Sequence, residues 1–179
     1  MILSDTKILE HIEKGDIVIT PFDVSNMGGN SYDVHLSKYF AQYIDSEIDA
    51  KKHNQIKHFE IPEEGFVLMP GELYLASTME YTESHIHVPF LEGKSSTGRL
   101  GIDIHATAGK GDVGFRGYWT LEISTSKPVR IYPGMPIGQL IYYVVEGSVE
   151  RLYHKKTDAK YSDQEKLPKE SMMWKNLNK

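Results

Sequence analysis

The densest group of residues with chemistry to offer is Gly93-Lys94-Ser95-Ser96-Thr97-Gly98-Arg99-Leu100-Gly101. Small residues let backbone N–H groups approach an anion, the hydroxyls add donors, and Lys94 and Arg99 bring charge. The glycine spacing of a Walker A loop is missing, and a Gly/Ser/Lys loop is also ordinary solvated punctuation. Glu122 is the second feature. Along Tyr118–Ser124, Trp119, Leu121 and Ile123 face one way, while Tyr118, Thr120, Glu122 and Ser124 face the other. A carboxylate there is either a proton-transfer group or the wet face of a half-buried strand. Asp112, in the run Gly111-Asp112-Val113-Gly114, is a candidate ligand contact or plain turn chemistry. His85 and His87 stand two apart and His105 follows Asp103, but no third ligand at a convincing spacing joins them, so no protein-held metal is expected. The chain has no cysteine, which closes the zinc–thiolate route to an activated water.

These residues need a frame. Ser4 or Asp5 can cap a helix whose apolar stripe is Ile8, Leu9 and Ile12, with Gly15 placed to end it. Asp16–Thr20 reads as a short strand. Gly28-Gly29-Asn30-Ser31 is a turn, and Tyr32–Leu36 alternates as a half-buried strand. Residues 45–60 are polar and read as a surface excursion. Leu73, Leu75, Ser77, Met79 and Tyr81 alternate after the Pro70-Gly71 turn, and Ile102, Ile104, Ala106 and Ala108 alternate in turn. A further turn at Pro133-Gly134 precedes the apolar run Leu140–Val145. Short strands with Gly/Pro punctuation and one N-terminal helix predict an all-β sandwich or barrel in a single domain over residues 1–179. The tail from about Arg151 is hydrophilic and shows no strong period.

Bulk properties narrow the function classes. A chain of 179 residues, 40% hydrophobic, can bury a core without staples. No apolar run reaches the ~20 residues of a membrane span, and Met1-Ile2-Leu3-Ser4-Asp5 lacks the marks of a signal peptide, so a cytoplasmic location and no membrane partner are expected. A formal charge of −5 argues against polymeric nucleic acid as a partner. A small anionic ligand remains open if a few cations gather locally, with Lys94, Arg99, Lys110, Arg116 and Lys160 as the candidates.

Six segments occur in order: Gly93–Gly101, His105-Ala106-Thr107-Ala108, Asp112–Gly117, Thr120-Leu121-Glu122, Pro133–Leu140 and Asp158–Gln164. Together with Asn30–Leu36 they resemble the dCTP deaminase family of the dUTPase-like superfamily, and the resemblance covers most of the chain. It implies a homotrimer of distorted β-barrels, with sites at subunit interfaces that bind the nucleotide triphosphate together with Mg2+. Carried over by position, Lys94, Ser95, Ser96 and Arg99 would hold phosphates and base, Asp112 would contact the sugar, and Thr120, Leu121 and Glu122 would line the cytosine. Tyr153, Lys160 and Gln164 would close over the triphosphate from the tail, residues 151–179. The family also leaves dTTP open as an inhibitor. Lys94 stands where arginine is frequent in the family, which keeps the charge but loosens bidentate contact.

On this resemblance the catalytic set is Glu122, Ser95 and Arg99, working without zinc. Glu122 would take a proton from the attacking water and return it to the departing side of the base, Ser95 would hold the water, and Arg99 would polarise the site. Ala108-Gly109 stands where deamination-only relatives carry bulk, which points to a dUMP-forming enzyme that continues to dUMP and pyrophosphate. A deaminase that releases dUTP is the nearest alternative. A dUTPase without deaminase activity is disfavoured by Glu122, and a non-catalytic nucleotide sensor by the full set Ser95, Arg99 and Glu122.

Overall fold

The computed structural model describes residues 1–178. The first helix, α1 (Asp5–Glu13), starts where Ser4 Oγ accepts a hydrogen bond from the Lys7 N–H, and beyond Lys14 it gives way to Gly15 at φ +76°. It buries Ile8 and leads into β1 (Ile17–Thr20), which pairs with β5 (Tyr74–Ser84).

The main sheet runs β6 (His87–Gly93), β10 (Pro136–Val144), β2 (Tyr32–Tyr43), β5, β8 (Phe115–Thr125) and β7 (Ile102–Asp103). β3 (Ile56–Glu60) adds to β2, and β4 (Phe66–Leu68) pairs with β9 (Val129–Ile131) as a separate ribbon. All these pairs are antiparallel, and register shifts at Leu36/Phe40 and at Ser77/Tyr81 bend the long strands. The sheet curls into the expected distorted barrel around Tyr32, Val34, Leu36, Phe40, Leu121 and Ile137, all fully buried. No helix among the described residues is long and apolar enough to cross a membrane.

Several expectations need correction. Within 45–60, residues 56–60 form β3, held because Phe59 packs on Phe40 and on Phe66 at ring separations of 5.8 and 5.6 Å. The core face of β5 is Tyr74, Ala76, Thr78 and Glu80, not the odd-numbered set, and Leu73 and Met79 are exposed. Leu75 and Ser77 are buried all the same, because the C-terminal tail lies near them: Ser77 Oγ donates to the Lys166 carbonyl at 2.5 Å. The alternation from Ile102 yields only a two-residue strand, since Ala106 and Ala108 are exposed in a loop. The Gly93–Gly101 loop contains one helical turn, α2 (Ser95–Arg99). The tail is mostly irregular and ends in a short helix, α3 (Trp174–Leu177).

Candidate active site

Strand β8 keeps strict alternation over eleven residues, so Trp119, Leu121 and Ile123 are committed to the core and Tyr118, Thr120 and Glu122 to the opposite face. That face opens on a cavity of about 510 Å³, whose walls also include Leu75, Asp112, Tyr153, Gln164 and Lys169. Glu122 is paired with Leu75 across the ladder, and its N–H donates to the Ile104 carbonyl at 2.9 Å. This second bond fixes the neighbouring chain. Ile104 turns into the core, so His105 turns the other way, and its Nδ1 lies 2.5 Å from Glu122 Oε2.

Asp112 reaches the same cavity between two cations, with Lys110 Nζ at 2.7 Å and Lys156 Nζ at 3.4 Å. Partial burial pushes its carboxyl up, but Lys110 and then Lys156 outweigh burial and hold it below the ordinary carboxylate value. Tyr153 is anchored by its N–H to the Val113 carbonyl at 2.8 Å, and its hydroxyl accepts from the Tyr161 N–H at 3.0 Å. Burial pushes its phenol up.

The tail supplies one wall. Gln164 lies beside Gly117 in a parallel bridge, with the Tyr118 N–H donating to its carbonyl at 3.0 Å and its own amide donating to Thr120 Oγ1. Thr120 Oγ1 also accepts from the Lys169 N–H at 3.2 Å, so two tail contacts converge on this hydroxyl. Further on, the Ser171 N–H donates to the Tyr43 hydroxyl at 3.0 Å, and Glu170 meets His53 at 2.7 Å.

The expected site residues fall into separate groups within one chain. Glu122, Thr120, Asp112, Tyr153 and Gln164 share the first cavity. Lys94 and Ser95 line a second cavity, also about 510 Å³, together with Gly98, Gly109 and Lys110. His105 and Lys110 border both cavities. Lys94 is ion-paired with Asp33, whereas Ser96 and Arg99 are exposed on α2 and border neither cavity. Lys160 belongs to a third cavity of about 390 Å³ with Lys156 and Lys175. The Leu121 side chain is fully buried in the core, which leaves only its backbone to a ligand. Of the histidines considered for metal binding, His87 is buried against His11 at a ring separation of 4.4 Å, and His85 pairs with Glu83.

Two features escaped sequence reasoning. The contact of His105 with Glu122 needs the Glu122–Ile104 backbone bond, which no local pattern encodes. Gly109 also has a packing reason to be small: a Cβ there would lie 2.5 Å from the Leu91 carbonyl oxygen. Its own carbonyl accepts from the Leu91 N–H at 2.7 Å, so the loop lies against β6 by backbone contact.

The dCTP deaminase-like family matches residues 2–145. A protein of Cytophaga hutchinsonii named dCTP deaminase, dUMP-forming, is 51% identical over 150 residues, covering 84% of this chain and 86% of its own. A protein of the same name from Clostridium botulinum is 45% identical over 179 residues and covers 100% of both chains. Among solved structures, 2'-deoxycytidine 5'-triphosphate deaminase from Agrobacterium tumefaciens aligns with a TM-score of 0.64 at 21% identity, over 83% of this chain and 49% of that one. This chain thus spans about half the length of that neighbour, and the likeness speaks for the fold.

Proposed function

The chain belongs to the dCTP deaminase-like family, and from that premise we propose that it converts dCTP to dUMP, ammonia and pyrophosphate. The observation that carries this reading is Glu122, a carboxylate on the non-core face of β8 that faces a cavity of nucleotide size. In the first step water adds to C4 of the cytosine, Glu122 takes its proton, and the proton returns to the base side as ammonia leaves. In the second, water displaces pyrophosphate at the α-phosphate, with Asp112 held deprotonated by Lys110 and Lys156 to orient it. The curated relatives named dUMP-forming favour this sequence over release of dUTP.

Mg2+ would enter on this reading with the nucleotide and would offset the charge of its phosphates. Asp112, which lines the Glu122 cavity, would be the carboxylate on its side. Ser95 and Arg99 stand apart from Glu122 within one chain, which supports a homotrimer whose sites take Glu122 from one subunit and α2 from the next. We place the enzyme in the cytoplasm and expect dTTP, which shares the sugar and triphosphate, to act as an inhibitor.

The test is to incubate the protein with dCTP and Mg2+ and to follow ammonia, dUTP, dUMP and pyrophosphate together. Ammonia and pyrophosphate should appear in equal amounts without a lag, and Glu122→Gln should abolish both while dCTP still binds. Ammonia with free dUTP and no pyrophosphate would leave a plain deaminase. Near-normal turnover by Glu122→Gln would remove that residue from the chemistry.

A further inference from the structure

We infer that His105 is the positioning residue for Glu122 in the deamination step; the inference rests on the deaminase reading above. Its Nδ1 lies 2.5 Å from Glu122 Oε2, and its side chain is 7% exposed. An ionised carboxylate can only accept, so Nδ1 carries the proton in this pair. A terminal carboxylate otherwise turns through a broad, roughly two-fold torsion. The hydrogen bond stops that rotation by occupying Oε2 and turns Oε1 into the atom that meets the water.

The other ring nitrogen supports this role. Nε2 is buried and has no hydrogen-bond partner among the described residues. An unpaired buried nitrogen is costly, so Nε2 is left for a partner that the described residues do not supply. His105 also borders both the Glu122 cavity and the Ser95 cavity. With the proton on Nδ1, Nε2 is left with a lone pair and no partner from the described residues. The imidazole is itself held by its neighbour, since Ile104 is 4% exposed and receives the Glu122 N–H.

Three variants of the full chain separate positioning from bulk. His105→Asn keeps an N–H donor near the place of Nδ1, His105→Gln puts its donor at the reach of Nε2, and His105→Phe keeps a ring with no donor. Ammonia release from dCTP gives kcat and KM, and thermal melting reports folding. His105→Phe should lower kcat about 10- to 100-fold, the loss of one hydrogen bond to a charged group, with KM for dCTP within about two-fold of the parent. His105→Asn should recover most of the rate and His105→Gln should not, a contrast that still decides the matter if the Phe variant does not fold. Equal rates for the Asn and Gln variants, whether both retained or both lost, would overturn the inference, as would an active Phe variant. Absence of ammonia from the unmodified protein would instead sink the deaminase reading.

Discussion

Replacing Gly117 with alanine should detach the tail from the site while leaving the barrel folded. Gly117 sits at φ +136°, and a Cβ there would lie 2.6 Å from the Gln164 nitrogen and 2.9 Å from its carbonyl oxygen. Both are backbone atoms and cannot swing aside. Strand β8 cannot yield either, because Trp119, Leu121 and Ile123 anchor it in the core. The tail must therefore move, and with it go the Tyr118-to-Gln164, Asp163-to-Arg116 and Gln164-to-Thr120 hydrogen bonds. At about 1 kcal/mol each these amount to about 3 kcal/mol, roughly a hundredfold in the open fraction of the tail. The left-handed backbone adds about 1 to 3 kcal/mol of strain to the fold itself, a fall in Tm of roughly 3–10 °C for a chain of this size. Hydrogen exchange resolved along the chain should show lost protection over 163–172, and trypsin should cut sooner at Lys166 and Lys169. KM for dCTP should rise, since Gln164 and Lys169 line the Glu122 cavity. Unchanged protection of 163–172 with alanine in place would refute this account of how the tail is held.

Gly109→Ala should push the 105–111 loop off β6, because its Cβ meets the Leu91 carbonyl; a drop of about 1–3 kcal/mol in urea unfolding is expected, and unaltered stability would count against the clash. Asp112 has a depressed value in the folded chain, so its contribution to stability is present above its ordinary 3.8 and is lost as pH falls through the folded value. Lys110→Met should shrink that contribution and move the Asp112 carboxyl titration, followed by carbon NMR, to higher pH; an unmoved titration would deny Lys110 its role. Mixing the separately inactive Ser95→Ala and Glu122→Gln chains, then exchanging subunits, should restore activity at one site in each mixed trimer, about one site in four over a random equimolar population. No recovery in a mass-verified mixed assembly would place both residues of each site in one chain.

The parts of the site that were legible in the sequence depend on short-range periodicity. Glu122 stood out because β8 alternates without a break and puts a carboxylate between the polar positions of a half-buried strand. The N-terminal helix was legible for a similar reason, since Ser4, the Ile8/Leu9/Ile12 stripe and Gly15 act within a few residues of one another. Strand β5 misled because burial there is decided from far away. Its core face carries Thr78 and Glu80, and Glu80 can be buried because it binds the His35 ring at 2.7 Å and the His35 N–H at 2.9 Å. Its other face is covered by the tail around Ser77, and the tail's dependence on Gly117 and Ser77 is something no window of sequence reveals.

The same distinction explains why residue types were readable and their arrangement was not. Lys94, Ser95 and Arg99 were readable as candidates for anion binding by composition, and Glu122 as a candidate for proton transfer by its place on a strand. Their arrangement follows from topology: α2 comes directly after β6 and packs on β7, which pairs with Ser124 and Thr125 of β8 just beyond Glu122. The link between the two cavities is the loop 104–111, tied to β8 by the Glu122-to-Ile104 bond and to β6 by the Leu91-to-Gly109 bond. A shift of this loop must therefore act on both cavities at once, through His105 on one side and Gly109 on the other. That coupling makes the loop, which has almost no regular structure of its own, the segment whose geometry the chemistry depends on most.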